Sequence, residues 1–397
     1  MLLPTPFHPK TSLLNENNEW RNWSGFMVAG TYEPTHEREY YAIRNAAALI
    51  DVSPLYKYDL LGQDAERLVN KIVTRNVKKC DLGQIMYSPW CDENGHMIDD
   101  GTIWRLAENH FRITAADPNL RWFEDCGFGL DCLVADVSNE LAALALQGPN
   151  SRPILREVTT GIELENIGYY RLASTTIAGI PLTITRTGFT GDLGFELWFS
   201  PEYAERMWDV LMEVGYRYGL LPAGMVALDI ARIEAGLLLI EVDYISSTRA
   251  LIDSRKSTPF DAGLAWTVAL DKGSFVGRKA LRAEAARGNR WALVGLEIDW
   301  PVLESLFAVQ DLPPLVAGRA SREAVPVYNE NGRQIGQATS RTFSPILKKY
   351  IALATVESEF AQEGFPLSIE VTVEFTRQQC PARVISIPFY DPVHKRK

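Results

Sequence analysis

The 397-residue sequence predicts a mixed α+β protein of two or three domains that ends in an all-β module. Three observations carry that expectation. The length exceeds what one ordinary core organises. Amphipathic helical stretches alternate with short strand-like ones up to Lys272. Beyond Lys272 the helical pattern fades into turn clusters and short β segments.

Gln63 to Val77 reads as the first amphipathic helix, with Ala65, Leu68, Val69, Ile72 and Val73 on one face. Strands follow at Phe111 to Thr114, at Leu141 to Leu146, and at Pro181 to Thr185, which alternates as a half-buried strand does. A second helix spans Pro201 to Tyr218, with Ser200 as N-cap, Pro201 in the first turn and Gly219 as its stop. Its apolar stripe contains Met207, Trp208, Leu211 and Met212. The β module is read from Trp291 to Ile298, Val325 to Val327, Ile351 to Val356, Leu367 to Val373 and Ala382 to Ile387. Asp299 to Glu323, with Pro301, Pro313 and Pro314, reads as a long loop interrupting it. No fixed-period repeat is visible.

Hydrophobic residues at 46% and charged residues at 23% place the chain among ordinary globular proteins. The net charge of -10 argues against a nucleic-acid partner but not against an anionic ligand held by local Arg or Lys. Five scattered cysteines without a CxxC pair, and five histidines, signal neither a disulfide framework nor a metal site. The N-terminus carries Pro4, Pro6 and Pro9 rather than a signal-peptide core, and no apolar run approaches a membrane span. A cytoplasmic location, with no membrane partner, is the simplest expectation.

Asp92-Glu93-Asn94-Gly95 is turn chemistry, and it leads through His96-Met97-Ile98 to the adjacent carboxylates Asp99 and Asp100. Two readings stay open there. Both aspartates cap the turn, or one faces inward to orient a bound amine and accept its proton. In Thr187 to Glu196 the glycines lack phosphate-cradle spacing and suit a glycine-punctuated hairpin. Glu196, between Phe195 and Leu197, is either a solvent-facing strand residue or a carboxylate for the paired N–H groups of an amidine-like ring edge. Arg232 is either half of an i,i+3 pair with Asp229 or a substrate-side cation.

Taken together, these segments resemble the aminomethyltransferase (T protein) family of the glycine cleavage system. In order along the chain they are Ala42-Ile43-Arg44 with Asp51-Val52-Ser53, Tyr87-Ser88, Ile98-Asp99-Asp100, Leu146 to Asn150, and Thr187 to Glu196. Arg232 to Gly236, Phe275 to Leu281, Thr342 to Pro345 and Ile351-Ala352-Leu353 complete the series. The resemblance implies a three-lobed fold: two α+β, ferredoxin-like lobes and a C-terminal β-barrel around a central folate site. The lobes then divide as 1–55 with 140–260, 56–139 carrying Asp99, and 261–397 for the barrel. The cofactor implied is tetrahydrofolate. By the same resemblance Asp99 is the catalytic aspartate and Asp100 structure, while Tyr87, Glu196, Phe189 and Trp266 surround the folate. An aspartate of ordinary pKa, about 3.9, is ionised at neutral pH unless heavily desolvated.

Departures from the family pattern bear on the donor. Pro54 stands for a His, Phe189 for a Tyr, Leu228 for an Arg and Ala115 for an Asn, and Leu239 to Asp243 replaces Leu-Tyr-Gly-Gln. A site built to hydrogen-bond one substrate rejects it when those groups are lost. The leading expectation is therefore a demethylating methyltransferase that passes a methyl group from a small onium, methylamine or methoxy donor to tetrahydrofolate. Trp104 with Arg105 offers an aromatic wall and a carboxylate anchor, and Trp90 with Tyr32 an aromatic enclosure, with plain core as the alternative for each aromatic. The second expectation is aminomethyl transfer from a lipoyl carrier protein. A non-catalytic iron–sulfur maintenance protein of this fold lacks its Lys-Gly-Cys-Tyr signature here. A flavin-linked dehydrogenase half lacks a preceding dinucleotide fingerprint.

Overall fold

The structure, a computed structural model, describes residues 2–314 and 318–396. Two compact units are present: Met1–Ser88 with Asp99–Ala231 and Pro392–Lys397, and Pro89–Ile98 with Arg232–Asp391. The division falls inside the helix Met225–Glu234, earlier than the 260/261 boundary expected from sequence. The hairpin tip 89–98 also groups with the second unit rather than with the lobe of residues 56–139.

In the first unit a seven-stranded sheet runs Thr159–Thr160, Leu172–Ile177, Ile180–Thr185, Gly194–Phe199, Ala142–Gln147, Ala47–Asp51 and Leu220–Pro222. Only the last pair is parallel. Leu144, Leu146, Ile184, Phe195 and Leu197 bury one face against helices Ser151–Val158 and Ala204–Gly215, which contribute Ile154, Leu155, Met207, Trp208 and Leu211. Burial of these alternating apolar positions is the main stabilising term. The helix predicted over 201–218 is continuous as a 3-10 turn, the α-helix Ala204–Gly215 and a second 3-10 turn, ending at Gly219 with φ 71°.

A second sheet, whose tip at 89–98 groups with the other unit, has five strands, Ile85–Cys91, Met97–Ala107, His110–Ala115, Tyr56–Leu61 and Leu133–Asp136. Its helix, Ala65–Ile72, is shorter than the predicted 63–77. Val73 turns extended, and Thr74 Oγ1 lies 3.1 Å from Ser88 Oγ, which also accepts from Arg75 N. The segment Gly168–Leu172 stitches the two sheets together. Tyr170 O accepts from Ile85 N at 2.9 Å, and Tyr170 N donates to Arg186 O at 3.1 Å. The C-terminal segment docks on the same unit: His394 Nε2 lies 2.6 Å from Asp192 Oδ1, and Arg186 Nη2 donates to Lys395 O.

The second unit contains a closed six-stranded barrel ordered Trp291–Ile298, Lys349–Glu357, Gln334–Ser344, Val325–Tyr328, Pro366–Val373 and Thr376–Ile385. Gln334–Ser344 escaped the sequence reading because its buried positions include Thr339, Ser340, Thr342 and Ser344, giving no apolar alternation. The expected loop 299–323 is corrected in part: Trp300–Ala308 is a helix. Asp299 caps it by accepting from Val302 N, Pro301 fits its first turn, and Leu303 and Phe307 enter the barrel core. Residues 315–317 of that segment lie outside the described residues.

Candidate functional site

Asp99 and Asp100 are consecutive on the strand Met97–Ala107, so their side chains leave opposite faces. Asp99 has no accessible surface. Its Oδ1 accepts from Asp100 N at 2.8 Å, and its Oδ2 from Asp117 N at 3.0 Å and Asn119 Nδ2 at 2.9 Å. Burial first, and then the neighbouring Asp100 charge, push the Asp99 carboxyl well above the usual range, against the pull of these N–H donors. Asp100 is partly exposed and accepts a hydrogen bond from Tyr87 Oη at 2.8 Å. The sequence reading has Asp99 facing the ligand and Asp100 as structure; the two carboxylates have different surroundings. The strand pleat turns Asp99 into the core and Asp100 toward the tyrosine.

Glu196 lies on Gly194–Phe199, half-buried. Its Oε2 accepts from Thr187 Oγ1 at 2.7 Å and from Thr185 Oγ1 at 3.4 Å. Oε1 takes no donor among the described residues. Burial raises its pKa, and the two threonine bonds oppose the rise. Gly188 and Gly194 are explained by packing: a Cβ at either would come within 2.2 Å of Gln147 Oε1. That buried amide braces the turn, with Oε1 accepting from Thr190 Oγ1. Phe189 sits half-buried on the same turn.

Tyr170 was missed by the sequence reading, and its only signal there was an aromatic pair, Tyr169-Tyr170, following Gly168. Its backbone bonds place it between two site neighbourhoods. One partner, Ile85, precedes Tyr87 by two residues, and the other, Arg186, lies between Thr185 and Thr187. Burial, then the Tyr169 and Glu196 charges, raise its phenol pKa.

The residues read from sequence as a donor site have these surroundings. Trp104 is buried, stacks edge-on to Trp198 at 5.0 Å and donates from Nε1 to Thr102 Oγ1. Arg105 reaches Glu66 at 3.0 Å and Cys80 O, so its guanidinium is engaged. Tyr32 is buried in the core of the seven-stranded sheet. Trp90 is fully buried in the second unit. Arg232 pairs with Asp243 at 2.6 Å and donates to Ser340 Oγ. Trp266 lies on a 3-10 turn of the second unit, 62% exposed. Among the described residues no group of three or more His, Cys, Asp or Glu is arranged to hold a metal ion. None of their helices is long and apolar enough to cross a membrane.

Two α+β sheets and a closed six-stranded barrel define a protein of the T-protein fold. The aminomethyltransferase T of the Bartonella henselae glycine cleavage system superposes with a TM-score of 0.83, covering 98% of this chain and 99% of that one at 24% identity. Residues 10–272 match the GCVT N-terminal domain, and residues 314–391 match the glycine cleavage T-protein C-terminal barrel domain. The chain belongs to this family of tetrahydrofolate-dependent aminomethyltransferase enzymes. An aminomethyltransferase of Halothermothrix orenii is 33% identical over 356 residues, 88% of this chain and 90% of that protein. A trimethylamine-oxide aldolase of Ruegeria pomeroyi is 33% identical over 409 residues. That match takes in 100% of this chain but 48% of the relative, so the chain spans about half of that protein's length.

Proposed function

We propose that this chain is a tetrahydrofolate-dependent one-carbon transferase whose donor is a small methylated compound, with methylated amines as the favoured class. The observation that carries the folate part is Glu196: a half-buried carboxylate with one oxygen fixed by threonines and the other without a donor among the described residues. That arrangement fits the paired N–H edge of a pterin. Folate, when bound, supplies a nucleophilic amine that accepts the one-carbon unit.

The chain's own part is alignment and charge placement. Glu196 fixes the orientation of the ring. Asp100, held by Tyr87, is the carboxylate offered to the reacting amines. Asp99 is a positioning residue: it accepts from Asp100 N and ties that strand to Asp117 and Asn119.

The donor class rests on two supports. Leu228 is a buried leucine at a position where the family resemblance places an arginine, so that cation is gone. Trimethylamine oxide, named for one full-length match of this chain, is itself a small N-methylated molecule. The second reading, aminomethyl transfer from a lipoyl carrier, is favoured by near-complete mutual coverage with aminomethyltransferases.

The test is a donor screen with tetrahydrofolate, following methyl- and methylene-folate by mass. Product from methylated amines without any carrier protein is the expected result. Product only with an aminomethyl-lipoyl carrier would reverse the ranking, and no folate product with either would end the one-carbon reading.

A further inference from the structure

One end of the seven-stranded sheet carries a cavity that the one-carbon site does not use. Past the register pair Phe199–Ala142, the strand Gly194–Phe199 runs out into Pro201 and Glu202. On the neighbouring strands the cavity wall continues in Ser138 and in Ser53. The segment 4–6 and Phe26, joined through the parallel pairing of Leu3–Pro4 with Phe26 and Met27, form the facing wall. The hollow measures about 470 Å³, inside the range of ~300–1,000 Å³ usual for small-molecule sites. Five residues of extended chain, on the order of 15 Å, separate Glu196 from Pro201.

Two of its wall segments are fixed from behind. Lys57, sealed from solvent, donates from Nζ to Ser53 O at 2.6 Å and to Ser138 O at 3.2 Å. Its charge is thus turned into backbone carbonyls, and Asp51 and Asp136 oppose it. A wall braced in this way leaves little ordering for a ligand to impose. The lining itself is apolar at its prolines, Phe26 and Leu141, and among the described residues it holds one carboxylate, Glu202, and no Lys or Arg. Glu202 Oε1 accepts from Ser200 Oγ at 3.1 Å, while Oε2 takes no donor among the described residues. Asp136, which accepts from Ser138 N and Oγ, adds negative charge beside the same wall.

We propose that this cavity is a binding site for small alkylammonium ions, separate from the Glu196 site. The alkyl groups lie against the proline, Phe26 and Leu141 surfaces, and the ammonium N–H donates to Glu202 Oε2. An anion would meet only like charge there. The proposal goes beyond the folate reading and does not depend on it.

The experiment is calorimetric titration of the full chain with diethylammonium chloride, against potassium chloride at equal ionic strength. It is run on the parent and on Glu202→Gln, Glu205→Gln and Glu196→Gln. Glu205 is an exposed carboxylate of the same unit outside the cavity lining. The expected result is saturable one-site binding by the parent and about a fivefold weaker Kd in Glu202→Gln, the order of a solvent-accessible ion pair. The Kd should be unchanged in the other two variants, with one urea midpoint for the parent, Glu202→Gln and Glu205→Gln. A Glu202→Gln Kd equal to that of the parent would overturn the proposal. Equal weakening in Glu205→Gln would also overturn it, because the attraction would then belong to diffuse surface charge. Weakening in Glu196→Gln alone would move the ion to the one-carbon site, and heats no larger than those of potassium chloride would leave the cavity without this ligand; either ends the proposal and leaves the folate reading untouched.

Discussion

Arg232 and its partner Asp243 answer each other inside the protein, whereas Glu196 keeps one carboxylate oxygen without a donor among the described residues. Arg232 and Asp243 are both sealed from solvent, and Asp243 also accepts from Leu239 N, Thr339 and Ser340. Glu196 is only half-buried and uses two hydroxyls on one oxygen. Both regions put charge into a low-dielectric setting, so burial does not distinguish structure from function here. What distinguishes them is whether the hydrogen-bonding capacity is spent. The Asp99 carboxylate, one residue from Asp100, is also consumed, by three N–H donors.

The strongest way to break the comparison is Arg232→Ala. Removing one member of a sealed pair leaves an uncompensated charge, and a loss of about 3–5 kcal/mol is expected in urea unfolding. A loss below about 1 kcal/mol would mean that Asp243 finds other compensation and that the pair is not structural.

Asp100→Asn sharpens the contrast from the other side. Turnover with the best methylated donor should fall by about 100-fold, the order of a lost electrostatic group, with the urea midpoint unchanged. Asp99→Asn should instead cost stability, about 1–3 kcal/mol, because an amide hydrogen then confronts buried donors. If the two variants exchange these phenotypes, the assignment of Asp99 as the positioning residue is wrong.

Glu196→Gln should weaken 5-formyltetrahydrofolate binding by roughly 10- to 100-fold, the range of a hydrogen bond to a charged group. Wild-type affinity in that variant would place the pterin elsewhere.

The smallest expected effect concerns Lys57, a buried amine whose pKa burial lowers to about 8. Its Nζ donates to Ser53 O at 2.6 Å and Ser138 O at 3.2 Å. Between about pH 8 and its ordinary value of 10.5, the unfolded chain binds more protons than the folded one. Stability should therefore rise with pH through that window, by at most about 1.4 kcal/mol per unit. Urea midpoints measured across it should flatten in Lys57→Met relative to the parent; parallel curves would show that Lys57 does not titrate differently on folding.

Much of the architecture was legible. Trp291–Ile298 was read to the residue, and the 201–218 helix with its Gly219 stop appears as a continuous helical run. These segments have clear apolar periodicity or a glycine stop. Gln334–Ser344 and Trp300–Ala308 were not legible. The first buries hydroxyls instead of aliphatics, and the second starts at a proline that reads as a breaker until Asp299 caps the turn. At the site, residue order brought forward Tyr87, the Asp99–Asp100 pair and Glu196. It also brought forward Trp104, Arg105, Tyr32, Trp90 and Arg232, whose composition suits a pocket equally well but whose surroundings already engage or bury them.

The sequence by itself determined the family, the two-sheet-plus-barrel plan and the segments that carry the carboxylates, because these follow from local periodicity and from motif order along the chain. The tertiary structure decided which aspartate is sealed, where Arg232 spends its charge, and that the backbone of Tyr170 bonds to both Ile85 and Arg186. Those outcomes depend on the strand pleat and on partners many residues away: Asn119 for Asp99, Ser340 for Arg232, Ile85 and Arg186 for Tyr170. A hydrogen bond between distant segments leaves no periodic trace in either one, so only the folded chain reveals which polar groups are spent and which are left for a ligand.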